Sequence, residues 1–241
     1  MILWMASVWN ARICVLAALL PAIYLMLYIY RLDRVEKEPL SVLLQLAGYG
    51  VLAALLAIAF EAAFEDFLLP VLNITDTTVL AIVTATGVGV IEEGCKFILL
   101  RRRTWEDANF NFRYDGIVYA VFVSLGFAAF ENILYVFQYG LEIAPSRALL
   151  AVPAHFGFAV VMGMFYGRAK VCQVYGDDGG TDANLRFGYL LAVGLHAFYD
   201  AAAMIETPVS ILIFLTFVVV MYIVIYRLVH KEAAMDRPLG R

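Results

Sequence analysis

Two adjacent glutamates followed by a lysine, Glu92, Glu93 and Lys96, open the set of residues able to do chemistry. Glu131 with Asn132, then His155, then His196 with Asp200 complete it. Carboxylates, imidazoles and an amide make a hydrolytic inventory. A buried glutamate takes a proton from water, and histidine and asparagine stabilise a tetrahedral oxyanion. Alternatively, His155, His196 and Glu93 could hold Zn²⁺ with a position left open for water. The residue types leave both readings open. On a helix, Lys96 reaches Glu92 at i,i+4 and Glu93 at i,i+3, and His196 and Asp200 share a face.

The solvent around these residues is the next observation. Of 241 residues, 63% are hydrophobic and 16% charged, and the mean hydropathy is +0.83. Soluble domains carry about 45–50% apolar and about 25% charged residues. This balance excludes disorder, a nucleic-acid binder and an ordinary soluble globule. Cys14, Cys95 and Cys172 are too scattered for a disulfide framework or a zinc ribbon.

Seven continuously apolar runs predict an all-α, polytopic membrane helix bundle: about 12–30, 40–63, 78–100, 114–138, 148–168, 187–205 and 208–229. Continuous rather than alternating hydrophobicity argues against a β-barrel. The first run lacks the basic n-region and cleavage site of a removable signal. With the N-terminus outside, 14 of the 17 basic residues fall in the inner segments 31–39, 101–113, 168–186 and 227–241, Arg241 among them. The bias predicts an N-out, C-in protein of the cell membrane. Arg12 and Arg147 are left on the outside. The stretch 176–184 reads as a solvated connector, Glu61 and Glu65 as solvated near an outer helix end, and Arg113 with Asp115 as marking the inner interface. Residues 1–241 are expected to form a single integral-membrane domain.

Five of the eight polar residues carry formal charge, and each costs about 2.5–3.5 kcal/mol near a bilayer centre, roughly 12–18 kcal/mol in all. All eight lie on the third to sixth spans, which predicts one polar site inside the bundle. Gly87 and Gly89, a turn before the glutamates, suit a bend or a close helix approach. Each residue also has a plainer reading: a buried ion pair for Glu92, Glu93 and Lys96, helix-packing glue for Asn132, and hydrogen-bonded core histidines for His155 and His196. The bilayer penalty weakens these readings together.

Other intramembrane hydrolase signatures are missing: no H-E-x-x-H, no G-x-S-x-G, no Gly-x-Gly-Asp pair. What is present resembles the PrsW family of polytopic membrane proteases. Glu92-Glu93-Gly94-Cys95-Lys96 is similar to its EExxK motif and Phe127-Ala128-Ala129-Phe130-Glu131-Asn132 to its FxxxEN motif. His155 with Gly157, and His196 with Asp200, resemble its two His-bearing motifs. Asp33 to Pro39 and Asp115-Gly116 fit as flanking signatures, so the motif-bearing core covers about 33–203. Ala120 and Ser124 stand where relatives often have glycine.

The resemblance implies a membrane-embedded endopeptidase, related to the type II CAAX prenyl endopeptidases and described both as metallopeptidase-like and as glutamate-dependent. It implies a single-span membrane protein as substrate, such as an anti-sigma factor cut near the outer face. By the same resemblance Glu92 or Glu93 activates water, and His155 and His196 support the oxyanion or a metal. Glu131, Asn132 and Asp200 orient them, and Lys96 tunes the Glu pair. A non-catalytic scaffold on the same fold and a proton-coupled carrier are the competing classes.

One expectation strains the single site. At about 1.5 Å per residue, Glu131, His155 and Asp200 lie roughly 8–11 Å below the outer ends of their helices, His196 about 14 Å and the glutamates roughly 20 Å.

Overall fold

The computed structural model of the chain describes residues 2–240, with side chains from Arg12 onward; Met1 and Arg241 lie outside the described residues. Among the described residues, eight α-helices follow one another. They are α1 (Ile2–Leu32), α2 (Leu40–Ala63), α3 (Thr77–Thr104), α4 (Asp115–Tyr139), α5 (Ala144–Leu149), α6 (Ala151–Val174), α7 (Asp178–Met204) and α8 (Pro208–Ala234). Seven membrane-spanning candidates result, with α5 and α6 forming one of them. Among the described residues the only β feature is a bridge between Phe112 and Pro238.

Most predicted boundaries hold within a few residues, with two differences. The connector predicted at 176–184 is largely the exposed start of α7: Asp177 accepts a hydrogen bond from the Gly180 amide at 2.8 Å, and the helix runs from Asp178. That N-cap satisfies an amide the helix would otherwise leave open. The predicted fifth span is broken at Leu150, which separates α5 from α6.

Helices α4 and α6 form the buried centre, surrounded by α1, α2, α3, α7 and α8. Their close approach needs glycine. A Cβ on Gly116 would lie 2.6 Å from the Gly167 amide nitrogen, and one on Gly163 2.5 Å from the Gly116 carbonyl oxygen. Ala120 borders the same contact, so its methyl fits where a larger group would not. The outer helices expose apolar side chains such as Leu212, Val219 and Tyr226 on α8, a surface suited to lipid.

The end of the bundle that carries the C-terminus is closed by polar contacts. Glu38 is buried and accepts from the Tyr119 hydroxyl at 2.6 Å. Asp115 is turned inward rather than marking an interface, and takes the amides of Asn111 at 3.1 Å and Phe112 at 2.7 Å. Residues after α8 fold back over the α3–α4 loop: Leu239 donates its amide to the Asn111 carbonyl at 2.7 Å, and Asp236 accepts from the Tyr114 amide at 2.9 Å. Outside the spans, burial pushes the Asp33 carboxyl up to about 6 and that of Glu38 up to about 7.

Candidate active site

The predicted polar residues of α3, α4, α6 and α7 converge on one cavity of about 850 Å³ that opens at the end opposite the C-terminus. Lys96 sits at the centre of the polar cluster, buried beneath the cavity and not part of its lining. Its Nζ lies 2.9 Å from Glu92 Oε2, 2.8 Å from Glu93 Oε1 and 3.2 Å from His155 Nδ1. The Phe127 ring, its centroid 3.9 Å away, covers the same ammonium, a cation–π contact strengthened by the burial of both groups.

His196 Nδ1 lies 2.9 Å from Glu93 Oε1, and its Nε2 lies 3.2 Å from Asp200 Oδ2. Both ring nitrogens face carboxylate oxygens. The Phe158 ring stacks on the imidazole at 4.9 Å between centroids. His155 is held by Glu131, whose Oε2 lies 3.1 Å from His155 Nε2. The two imidazoles meet edge to face at 5.4 Å. Ser124, on the face of α4 toward α6, donates to the His155 carbonyl at 3.0 Å and fixes the backbone there.

The depth mismatch expected from helix ends does not separate the groups. Glu93 is level with His196, and Gly89 is level with Val193 and Ala197: a Cβ on Gly89 would stand 3.2 Å from the Val193 carbonyl oxygen. Helix α3 begins at Thr77 and α7 ends at Met204, so α3 outruns α7 by roughly eight residues, or about 12 Å. The helix ends were not at one height, as the prediction assumed. Helix α3 is unbroken from Thr77 to Thr104, and Gly89 serves the close approach to α7.

Not every predicted residue reaches the cavity. Asn132 is fully buried against other partners, donating to the Ala18 carbonyl of α1 at 2.8 Å and accepting from Arg147 at 2.7 Å. Conversely, Glu61, expected in solvent, lines the cavity wall with its Oε1 buried and without a partner, while Glu65 borders the same cavity and is exposed as expected. Glu92 lines the cavity as well, whereas Glu93 is fully buried behind it with Oε2 unpartnered. Sequence reasoning missed Arg147, Phe158 and Tyr199. Of these only Arg147 carried a signal, as an exception to the charge bias.

Single donor atoms from Glu92, Glu93, His155 and His196 lie within 4.8 Å of one another. Mixed imidazole and carboxylate donors suit a zinc-like ion, and the unpartnered Glu93 oxygen leaves room for one more contact. Lys96 engages three of the four donor residues, so an ion and the ammonium would compete for them.

A multi-helical membrane protein with carboxylate, ammonium and imidazole groups gathered at a cavity between its helices is the architecture of an intramembrane hydrolase. The comparisons agree. Residues 38–228 match the family model described as "PrsW family intramembrane metalloprotease". The chain is 36% identical to Protease PrsW of Geobacillus kaustophilus over 188 residues, covering 76% of each chain. It is 29% identical to Protease PrsW of Clostridioides difficile over 212 residues, covering 86% of each. It is also 36% identical to Protease PrsW of Bacillus subtilis over 154 residues, covering 64% of this chain and 67% of the relative. No solved structure matches. The chain belongs to the PrsW family: it is an intramembrane protease and a multi-pass cell-membrane protein. That membership sets aside the scaffold and carrier readings.

Proposed function

We propose that the whole chain works as one domain, with the N-terminus outside and the C-terminus inside. The cavity then opens toward the outer face, and the substrate is a single-span membrane protein of the anti-sigma-factor kind, cut near that face. The observation that carries the catalytic reading is the placement of Glu92: it lines the cavity within the same cluster as His155 and His196.

Glu92 is the general base. It takes a proton from water as the oxygen attacks the scissile carbonyl, and returns that proton to the departing amine. His155 and His196, both on the cavity wall, stabilise the oxyanion. Glu131 and Asp200 hold their rings in place. Lys96 holds the two glutamates in place, and Glu93 supports Lys96 and His196 from behind. Asn132 serves at one remove, through Arg147.

The four close donors favour a second reading. Glu92, Glu93, His155 and His196 would hold a zinc ion, which would polarise the carbonyl and make water more acidic.

Mapping new protein N-termini in membranes carrying wild type or Glu92→Gln tests the proposal. Cleavage next to single-span helices, present with wild type and absent with the variant at equal protein levels, is expected. Identical N-termini in both would defeat it. Metal analysis of purified protein, with activity measured after chelation, separates the two readings.

A further inference from the structure

Arg147 lies on α5, in no recognised motif and against the charge bias of its side. Its side chain is 11% exposed, and Nη2 lies 2.9 Å from Glu131 Oε2, an ion pair by proximity that is not aligned as a hydrogen bond. Nε donates to Asn132 Oδ1 at 2.7 Å, and the guanidinium lies 3.8 Å from the centroid of the Tyr135 ring. Asn132 is itself anchored to α1 through the Ala18 carbonyl. The guanidinium is therefore fixed on three sides.

The oxygen that Arg147 engages is the one that meets His155. Glu131 Oε2 lies 3.1 Å from His155 Nε2, while the other ring nitrogen, Nδ1, faces Lys96 Nζ at 3.2 Å. An ammonium has three protons and no lone pair. Two protons go to Glu92 and Glu93, leaving the third for His155 Nδ1. Nδ1 is then an acceptor, and the ring proton resides on Nε2 and points at Glu131. This arrangement needs Glu131 Oε2 to stay at the ring as an acceptor. Arg147 places a permanent positive charge 2.9 Å from that oxygen and holds it there.

We propose that Arg147 is a positioning residue for the peptidase reaction, holding His155 as its Nε2–H tautomer through Glu131. The catalytic consequence rests on the function proposed above; the tautomer does not. A residue that merely docked α5 would act through Asn132 and Tyr135 and leave the His155 proton where it is.

The chain has three histidines, His155, His196 and His230, so ¹⁵N-histidine spectra of the full chain in lipid bilayers are assignable with one variant each. The expected wild-type result is a His155 proton on Nε2 and a bare Nδ1. Arg147→Met should remove that pure signal, giving mixed tautomers. Arg147→Lys should retain it, and an unchanged His230 signal reports an intact fold. Arg147→Gln, able to keep the Asn132 hydrogen bond without the charge, repeats the test if the methionine variant does not fold. An unchanged His155 signal in the uncharged variants, or a wild-type proton on Nδ1, would overturn the proposal.

With a substrate in hand, turnover in Arg147→Met should fall on the order of 10–100-fold, as for other partners that orient a functional histidine. KM should stay unchanged, and Arg147→Lys should recover most of the loss. Absence of cleavage by wild type would defeat the peptidase reading and leave the spectra standing.

Discussion

Glu92 and Glu93 are neighbours in the chain that share one ammonium, yet only Glu92 borders the cavity while Glu93 is sealed behind it. Successive helix residues point about 100° apart, so a Glu-Glu pair presents one carboxylate to the cavity and the other to the packing against α7.

Substitution should separate the two. Glu92→Gln removes the proposed base while leaving a residue of the same shape at the cavity wall. Turnover should fall by about 10²–10⁴-fold, the usual range for a general base, with a smaller loss of thermal stability than at Glu93, because Glu92 gives up its hydrogen bond to Lys96 alone. Glu93→Gln breaks contacts to Lys96 and His196 in a fully buried site, where disrupting a buried pair costs about 3–5 kcal/mol. Melting of both variants in detergent beside wild type gives the comparison. Equal destabilisation would contradict the division of labour.

The α3–α7 spacing offers an independent handle. A Cβ on Gly89 would lie 3.2 Å from the Val193 carbonyl oxygen and 3.3 Å from the Ala197 amide nitrogen. Gly89→Val should push α3 off α7 just one turn from the Glu93–His196 contact. Overpacking of this kind costs roughly 1–3 kcal/mol, but activity should suffer out of proportion, because the displaced helices carry the reacting groups. Gly48 has nothing within 4 Å of an added Cβ, so Gly48→Ala is the matched control and should leave cleavage intact. The variants are compared by turnover at equal folded protein.

A pH effect is expected at the other end of the bundle. Burial raises Glu38 from 4.5 to about 7, opposed by its hydrogen bonds to Tyr119 and Asp115. Burial also raises Asp33 from 3.8 to about 6, opposed by Lys37 and reinforced by Asp236 and Glu36. The folded state thus binds these protons more tightly than the unfolded one. Their stabilisation is complete below about pH 4 and is lost as pH rises through about 6 to 7. The melting temperature should fall between pH 5 and pH 8, and Glu38→Gln should flatten part of that slope. A slope unchanged by the substitution would exclude Glu38 as its source.

The seven spans and the site's helices were legible because bilayer physics leaves few alternatives: about 20 apolar residues cross, and charges inside them must meet. His155, His196, Glu92 and Glu93 could be grouped on that argument alone. Their vertical alignment could not, because hydropathy marks where a helix enters hydrocarbon and not how far it projects beyond its neighbours. The inward turn of Glu61 and the partners of Asn132 depend on helix rotation, which apolar residues on every side of a membrane helix do not encode. Arg147 was visible only as a charge on the unexpected side.

Lys96 leads to the last prediction, because it takes the atoms a divalent ion would use. Its Nζ stands 2.9 Å from Glu92, 2.8 Å from Glu93 and 3.2 Å from His155. Lys96→Met leaves two buried carboxylates without their cation, which should lower stability by about 3–5 kcal/mol. The vacated donors, with His196 within the same 4.8 Å, should then bind Zn²⁺ more tightly than wild type does. A ligand that binds only the folded state stabilises by RT ln(1 + [L]/Kd), so added Zn²⁺ should raise the melting temperature of Lys96→Met well above its metal-free value. Wild type, whose ammonium competes, should gain less. The readout is a Zn²⁺ titration of thermal stability for both proteins, with Lys96→Met/His196→Asn as the control that loses a donor. If wild type gains as much as Lys96→Met, ion and ammonium do not compete. If neither gains, the four donors are not arranged to hold zinc.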